Sequence, residues 1–264
     1  MVNLLVAAAL AAASPAIPSA TEPVDEPAMF VVRDADTTVY IFGTFHALDG
    51  RSQWFGNQVR TAFEQSDELV LETLVPEGPL PERFTPSLRA PSVTPSASFL
   101  ATTRLAINAG RAQGMQVGNG ADMVLRHVAE AEGKPVAGLE TLQLQIDMFN
   151  RMPATAASPM PRPGQPVESR SVDGLSKAMA EMQAAWKHGD QSVFVRMLSQ
   201  LRQASPDTYR MMFTERNERW ADWIRARMQA PGTVFVAVGA GHLAGPDSLL
   251  VRLAERGIPS QRAN

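Results

Sequence analysis

Apolar positions along this chain fall into two rhythms. Short continuous runs rich in β-branched and aromatic residues, such as "TTVYIFG", "LVLE" and "TVFVAVG", fit strands buried on both faces. Longer segments repeat an apolar residue every three or four positions, which fits helices with one buried face. "EPAMFVVRDADTTVYIFG" predicts a hairpin turning at residues 33–36. "GNQVRTAFEQSD" predicts a helix with Val59 and Phe63 on one face, and "DELVLET" a short strand ending in the acid Glu72. "SASFLATTRLAINAG" and "NGADMVLRHVAEAEG" predict two helices, the second stopped by Gly133. "KPVAGLE" offers a strand at 135–137, and "GLETLQLQIDMFNRM" a helix carrying Leu139, Leu142, Ile146 and Phe149.

Three helices fill residues 173–229. The first is expected to start at an Asp173 cap, with a stripe of Leu175, Met179, Met182 and Trp186. The third opens with Pro206. A strand at 232–238 and a final helix with Leu249, Leu250 and Leu253 follow. Prolines recur through 76–96 and 152–172, which excludes long helices and central strands there and predicts irregular, flexible connections. The expected fold class is α/β: a central mixed sheet flanked by helices, with a helical lid inserted at 173–229. "GIPSQRAN" at the C-terminus is short for a closing edge strand.

Composition narrows the functions. The chain has 264 residues, a formal net charge of −3 and no cysteine, so disulfides, thiolate metal sites and cysteine nucleophiles are excluded. No basic block marks a nucleic-acid partner. Residues 4–13 are apolar and are followed by small residues, with Ser14-Pro15-Ala16 and Ala20 as candidate cleavage ends. Residues 1–20 therefore read as a secretory signal peptide, too short for a membrane span, although "MVN" lacks a basic residue. The expectation is export, to a bacterial periplasm, of one domain over 21–264. There is no G-x-S-x-G and no phosphate loop.

The chemistry concentrates in two matching units. "TTVYIFGTFH" and "GTVFVAVGAGH" each end a strand-like run in a glycine followed three residues later by a histidine, His46 and His242. With 18 glycines and 4 histidines in 264 residues, chance supplies roughly 0.3 such pairs. Ligands of open α/β sheets sit beyond the carboxyl ends of the strands. If the three strands run parallel and adjacent, His46, Glu72 and His242 converge. Two imidazoles and a carboxylate would hold a divalent metal (Mn, Co, Zn or Fe) and leave positions for water and substrate. The ordinary alternative is a pair of turn histidines and a solvated glutamate. Arg216, with Asn217 in a polar break of its helix, either supports Glu72 or a substrate carboxylate, or pairs with Glu215 or Glu218. Glu140 either caps the helix that follows it, the favoured reading, or approaches the site. His127 and His188 read as ordinary helix-surface and helix-end residues.

The chain resembles the TraB/GumN family, which belongs with the Tiki-type metalloproteases and is more distantly similar to erythromycin esterase-like and ChaN-like proteins. The resemblance runs from about Met29 to about Gly257. It rests on "FGTFHAL", "LVLET", "GLETLQLQ", "ERN" and "VGAGHLAGPDSL" in that order. "VGNGADMVL" is looser than the family's usual Gly-hydrophobic-Asp turn. The resemblance implies a core of two Gly-x-x-His motifs and a strand-end glutamate, here His46, His242 and Glu72. It also implies a metal-dependent hydrolase of peptide-like or small-molecule substrates, or, as ChaN-like proteins allow, a haem- or metal-binding protein without turnover.

Overall fold

The computed structural model describes residues 25–74, 109–152 and 169–263. The leader read at 1–20, the proline-rich stretch 76–96 and most of the one at 152–172 lie outside those residues. Six strands form one mixed sheet in the order β4-β3-β5-β2-β1-β6. They are β1 (Met29–Arg33), β2 (Thr37–Thr44), β3 (Glu68–Thr73), β4 (Val136–Glu140), β5 (Gly232–Gly239) and β6 (Gln261–Arg262). The hairpin β1–β2 is antiparallel, as its pattern predicts. β2, β5, β3 and β4 are mutually parallel, so the three chemistry-bearing strands lie side by side. The C-terminal segment does supply an edge strand: β6 pairs with β1 through Phe30 and Val31.

Both faces of the sheet are buried, which is why the central strands read as unbroken apolar runs. Side chains alternate between two cores. Tyr40, Phe42, Leu69, Leu71 and Phe235 belong to one, and Val39, Ile41, Val70, Val234, Val236 and Val238 to the other. The first face is covered by α1 (Asn57–Glu64), α2 (Ala121–Ala131), α4 (Ser169–Lys187) and α5 (Ser192–Ala204), which contribute Phe63, Leu125, Trp186 and Phe194. The second face is covered by α7 (Glu215–Arg227) and α8 (Leu249–Glu255), through Trp220, Ile224, Leu249 and Leu253. α3 (Leu142–Arg151) and the short α6 (Pro206–Tyr209) are further helices, and a π-helical turn at Arg210–Thr214 runs into α7.

The helices read at 173–229 therefore do more than cover a cleft. Trp186 is buried against Phe42 and Trp54, at 6.4 and 5.9 Å between ring centres, and its Nε1 donates to the Gly43 carbonyl. α4 also starts before Asp173, which lies inside the helix and is not its cap. A start at Ser169 keeps the Leu175–Trp186 face in phase while the helix runs back into the segment read as proline-rich connection. Among the described residues, no helix is long and apolar enough to cross a membrane.

Candidate active site

β2, β5 and β3 end at one rim, and the residues just past or at those ends are His46, His242 and Glu72. The convergence is measured by Gly239. A side-chain carbon placed on that glycine would stand 3.1 Å from Glu72 Oε1, 3.3 Å from His46 Nε2 and 3.8 Å from His242 Cδ2. The other motif glycine serves packing, since a carbon on Gly43 would meet the Ala240 backbone and Leu243 at 3.3 Å. One glycine leaves room for the site, and the other lets β2 pack under the 3₁₀ turn Ala240–Leu243 that carries His242.

Glu72 takes the Gly239 N–H on Oε1 at 2.6 Å and the Arg216 Nη2 on Oε2 at 2.8 Å. Burial works to raise its pKa, but His242, Arg216, His46 and the Gly239 N–H outweigh it and hold the carboxyl down at about 2. His242 is buried between Trp220 and Phe213, with ring centres 4.4 and 4.9 Å away. Its Nδ1 lies 2.7 Å from Asn217 Oδ1, and Asn217 Nδ2 donates to the Asp247 carbonyl, which fixes the amide so that Nδ1 is the donor. Nε2 is then an acceptor and faces Arg216 Nη1 at 3.2 Å. Burial, and next to it Arg216 and His46, hold this imidazole down at about 3 against the pull of Glu72, so it is neutral at pH 7.

His46 is the open side of the site, with 60% of its side chain exposed. Its Nδ1 lies 3.2 Å from Asp122 Oδ1, on the first turn of α2. Crowding at the strand ends works to lower its pKa. Asp122, by contact and charge, and Glu72 outweigh that and push it up to about 9. That contact depends on Gly120: a carbon there would collide with the His46 carbonyl at 2.4 Å, and Ala121 N donates to the Phe45 carbonyl beside it. Both histidines thus have Nδ1 held by a partner and Nε2 turned to the cluster, the arrangement that orients metal-binding imidazoles.

Arg216 is the hub. It is buried, lies 4.5 Å from the Trp220 ring centre, and reaches Glu72, His242 and, through Nε at 2.9 Å, Glu140. Its expected alternative partner Glu215 pairs with Arg210 instead. Of its two readings, Glu140 takes the one not favoured and joins the site through Arg216. It does not cap α3; Thr141 does, its Oγ1 accepting from Leu144 N at 3.2 Å. Glu140 ends β4, buried, with Arg216 on one oxygen and Arg219 on the other. Asp122 is the site residue that sequence reasoning left out, while Asn217 was noted without a role and Glu140 was favoured as a cap. The loose "NGAD" turn was the available signal for Asp122. His127, on α2, and His188, in the turn after α4, are exposed.

The donor set partly meets the needs of a metal. Two ligands at about 2.1 Å from one ion stand no more than about 4.2 Å apart, and His242 Nε2 and Glu72 Oε1 are 3.7 Å apart. Nitrogen and oxygen donors with oriented imidazoles suit a divalent cation. Among the described residues no three His, Asp or Glu side chains are already arranged around an ion position. Arg216 holds two of the donors, so a cation would have to take Nε2 of His242 from it.

These shifts set an acid limit on stability. The unfolded chain protonates His242 below about pH 6.5 and Glu72 below about 4.5, whereas the fold resists down to about 3 and about 2. The contribution of both is full above those unfolded values and is lost as pH falls through each window. His46 acts oppositely: its contribution is full below about pH 6.5 and lost as pH rises through about 9. Urea midpoints are expected to peak near neutrality, and His242→Gln to flatten the acid limb between pH 6.5 and 4.5. An acid limb identical in the variant would refute this account of His242.

A family model described as the TraB/PrgY/gumN family matches residues 28–83 and 85–262. No curated protein and no solved structure matches the chain.

Proposed function

The chain belongs to the TraB/PrgY/gumN family, and from that premise we propose that it is an exported, metal-dependent hydrolase acting on peptide bonds. The observation that carries this is the convergence of His46, Glu72 and His242 around Gly239 at the ends of three adjacent parallel strands. The Tiki-type resemblance supports the reaction class, and the apolar leader at 1–20 supports export to the periplasm.

His46 Nε2, His242 Nε2 and a Glu72 oxygen would hold a divalent ion, which when bound supplies an activated water and polarises the carbonyl under attack. The chain's own residues do the rest. Asp122 and Asn217 hold the Nδ1 sides, so both Nε2 atoms point inward. Glu140 anchors Arg216 by its Nε and Glu72 holds its Nη2, so Nη1, once His242 Nε2 has been taken from it by a cation, is the donor left for the charge that develops on the carbonyl under attack. Trp220 and Phe213 keep water from the His242 side.

The test is a visible absorption titration of the metal-stripped protein with Co²⁺. One equivalent is expected to give d–d bands, and His46→Ala to lose them while keeping the wild-type circular dichroism. Peptidase activity should follow the bands. Absence of bands in the wild type, or full binding by His46→Ala, overturns the assignment. A haem band in the protein as purified would do the same in favour of a binding role.

A further inference from the structure

Beside the site lies a cavity of about 280 Å³, near the small end of ligand pockets. Leu144, Met148 and Arg151 line it from α3, spaced so that they share one helix face. Met211 faces them from the π-helical turn. Such turns occur often at functional positions, and this one also delivers Phe213 to His242. Leu144 is one of the few large apolar side chains left exposed among the described residues.

The polar part of the lining is three arginines against two glutamates. Arg210 is engaged by Asp207 and Glu215, and Arg219 by Glu140. Arg151 uses its Nε on the Asp147 carbonyl and has no ion pair among the described residues. One free guanidinium beside a methionine and leucine wall matches a single planar negative charge on an apolar body. A single guanidinium without an ion pair among the described residues suits a carboxylate better than a dianionic phosphate.

The cavity also touches the chemistry. Glu140 is part of its wall and holds Arg216, whose Nη2 holds Glu72 at 2.8 Å. A group seated there is one arginine away from the strand-end cluster.

We propose that this cavity is a specificity pocket for the free carboxylate end of a peptide whose last residue is apolar. Its use in turnover rests on the hydrolase reading above; its ligand chemistry does not. The experiment is a titration of the full chain, carrying ¹³C-methyl methionine, with N-acetyl-leucine and with N-acetyl-leucinamide. The acid is expected to shift the Met148 and Met211 methyls in a saturating manner and leave buried Met115 unmoved. The amide should bind at least tenfold more weakly. Arg151→Gln, at an exposed helix end, should weaken the acid at least fivefold and leave the amide unchanged. His46→Ala should bind both as the wild type does, which separates failure of the pocket from failure of the metal site. Equal affinity for acid and amide, or shifts that spare Met148 and Met211, would overturn the proposal.

Discussion

Arg216→Ala is expected to lower the unfolding free energy at pH 7 by roughly 3–5 kcal/mol, the cost of leaving buried charge without its partner. The guanidinium holds Glu72 at 2.8 Å and Glu140 at 2.9 Å, and the two carboxylates retain only 15% and 2% exposure. Without it Glu140 keeps Arg219, a half-exposed partner, and Glu72 keeps the Gly239 N–H. Neither replaces a buried charge bound to both acids. For a chain of this size each kcal/mol moves the melting temperature by roughly 2–4 °C, so a drop of roughly 10 °C is expected. The deficit should shrink toward pH 5, because Glu72 without the Arg216 charge can take up a proton. Arg216→Ala combined with Glu140→Gln should recover part of the loss. A deficit under about 1 kcal/mol at pH 7, the size of a surface pair, would mean that Arg216 is not the hub drawn here.

The reach of sequence reasoning follows the distance over which each feature is specified. A strand ending in glycine and then histidine is local, so both Gly-x-x-His units and Glu72 could be placed at strand ends before any contact was known. Their meeting required only that β2, β5 and β3 be parallel neighbours, which their unbroken apolar runs already favoured. Glu140 could not be placed in the same way. A glutamate ahead of a threonine at a helix start resembles a cap, and its true partner is 76 residues away. Asp122 looks like a first-turn acid favoured by the helix dipole; only the contact allowed by Gly120 makes it the partner of His46. Asn217 was read only as part of a polar break beside Arg216; its burial and its bond to His242 follow from α7 turning that side to the strand ends. The π-helical turn at Arg210–Thr214 left no mark in the apolar rhythm. The two-residue β6 was too short to see. Strand ends were legible, and so was Arg216 as a support of Glu72; the roles of Asp122, Asn217 and Glu140 were not, because those pairs are made far apart in the chain.

Gly239→Ala is expected to leave the fold nearly intact and to reduce activity about a hundredfold, the scale of a 1 Å misplacement at a reacting centre. The backbone there, φ −53° and ψ 136°, suits any L-residue. The strand before it and the Gly239 N–H bond to Glu72 can therefore persist. The added methyl would lie 3.1 Å from Glu72 Oε1 and 3.3 Å from His46 Nε2, too tight for both to stay where they are. His46, with most of its ring in water, can swing outward. Glu72, fixed by Arg216 and Gly239, cannot. The expected result is loss of His46 from the cluster, with a melting temperature within a few degrees of wild type. Gly43→Ala is the control. Its methyl would press on the Ala240 backbone and Leu243 at 3.3 Å, an overpacking that costs about 1–3 kcal/mol and is felt in stability before chemistry. Thermal melts and Co²⁺ titrations of the two variants, run together, read these effects separately. If Gly239→Ala keeps full Co²⁺ binding and turnover, His46 and Glu72 do not act on a common ion and the shared-site geometry is refuted. If it instead unfolds while Gly43→Ala does not, the glycine at the end of β5 serves the fold and not the site.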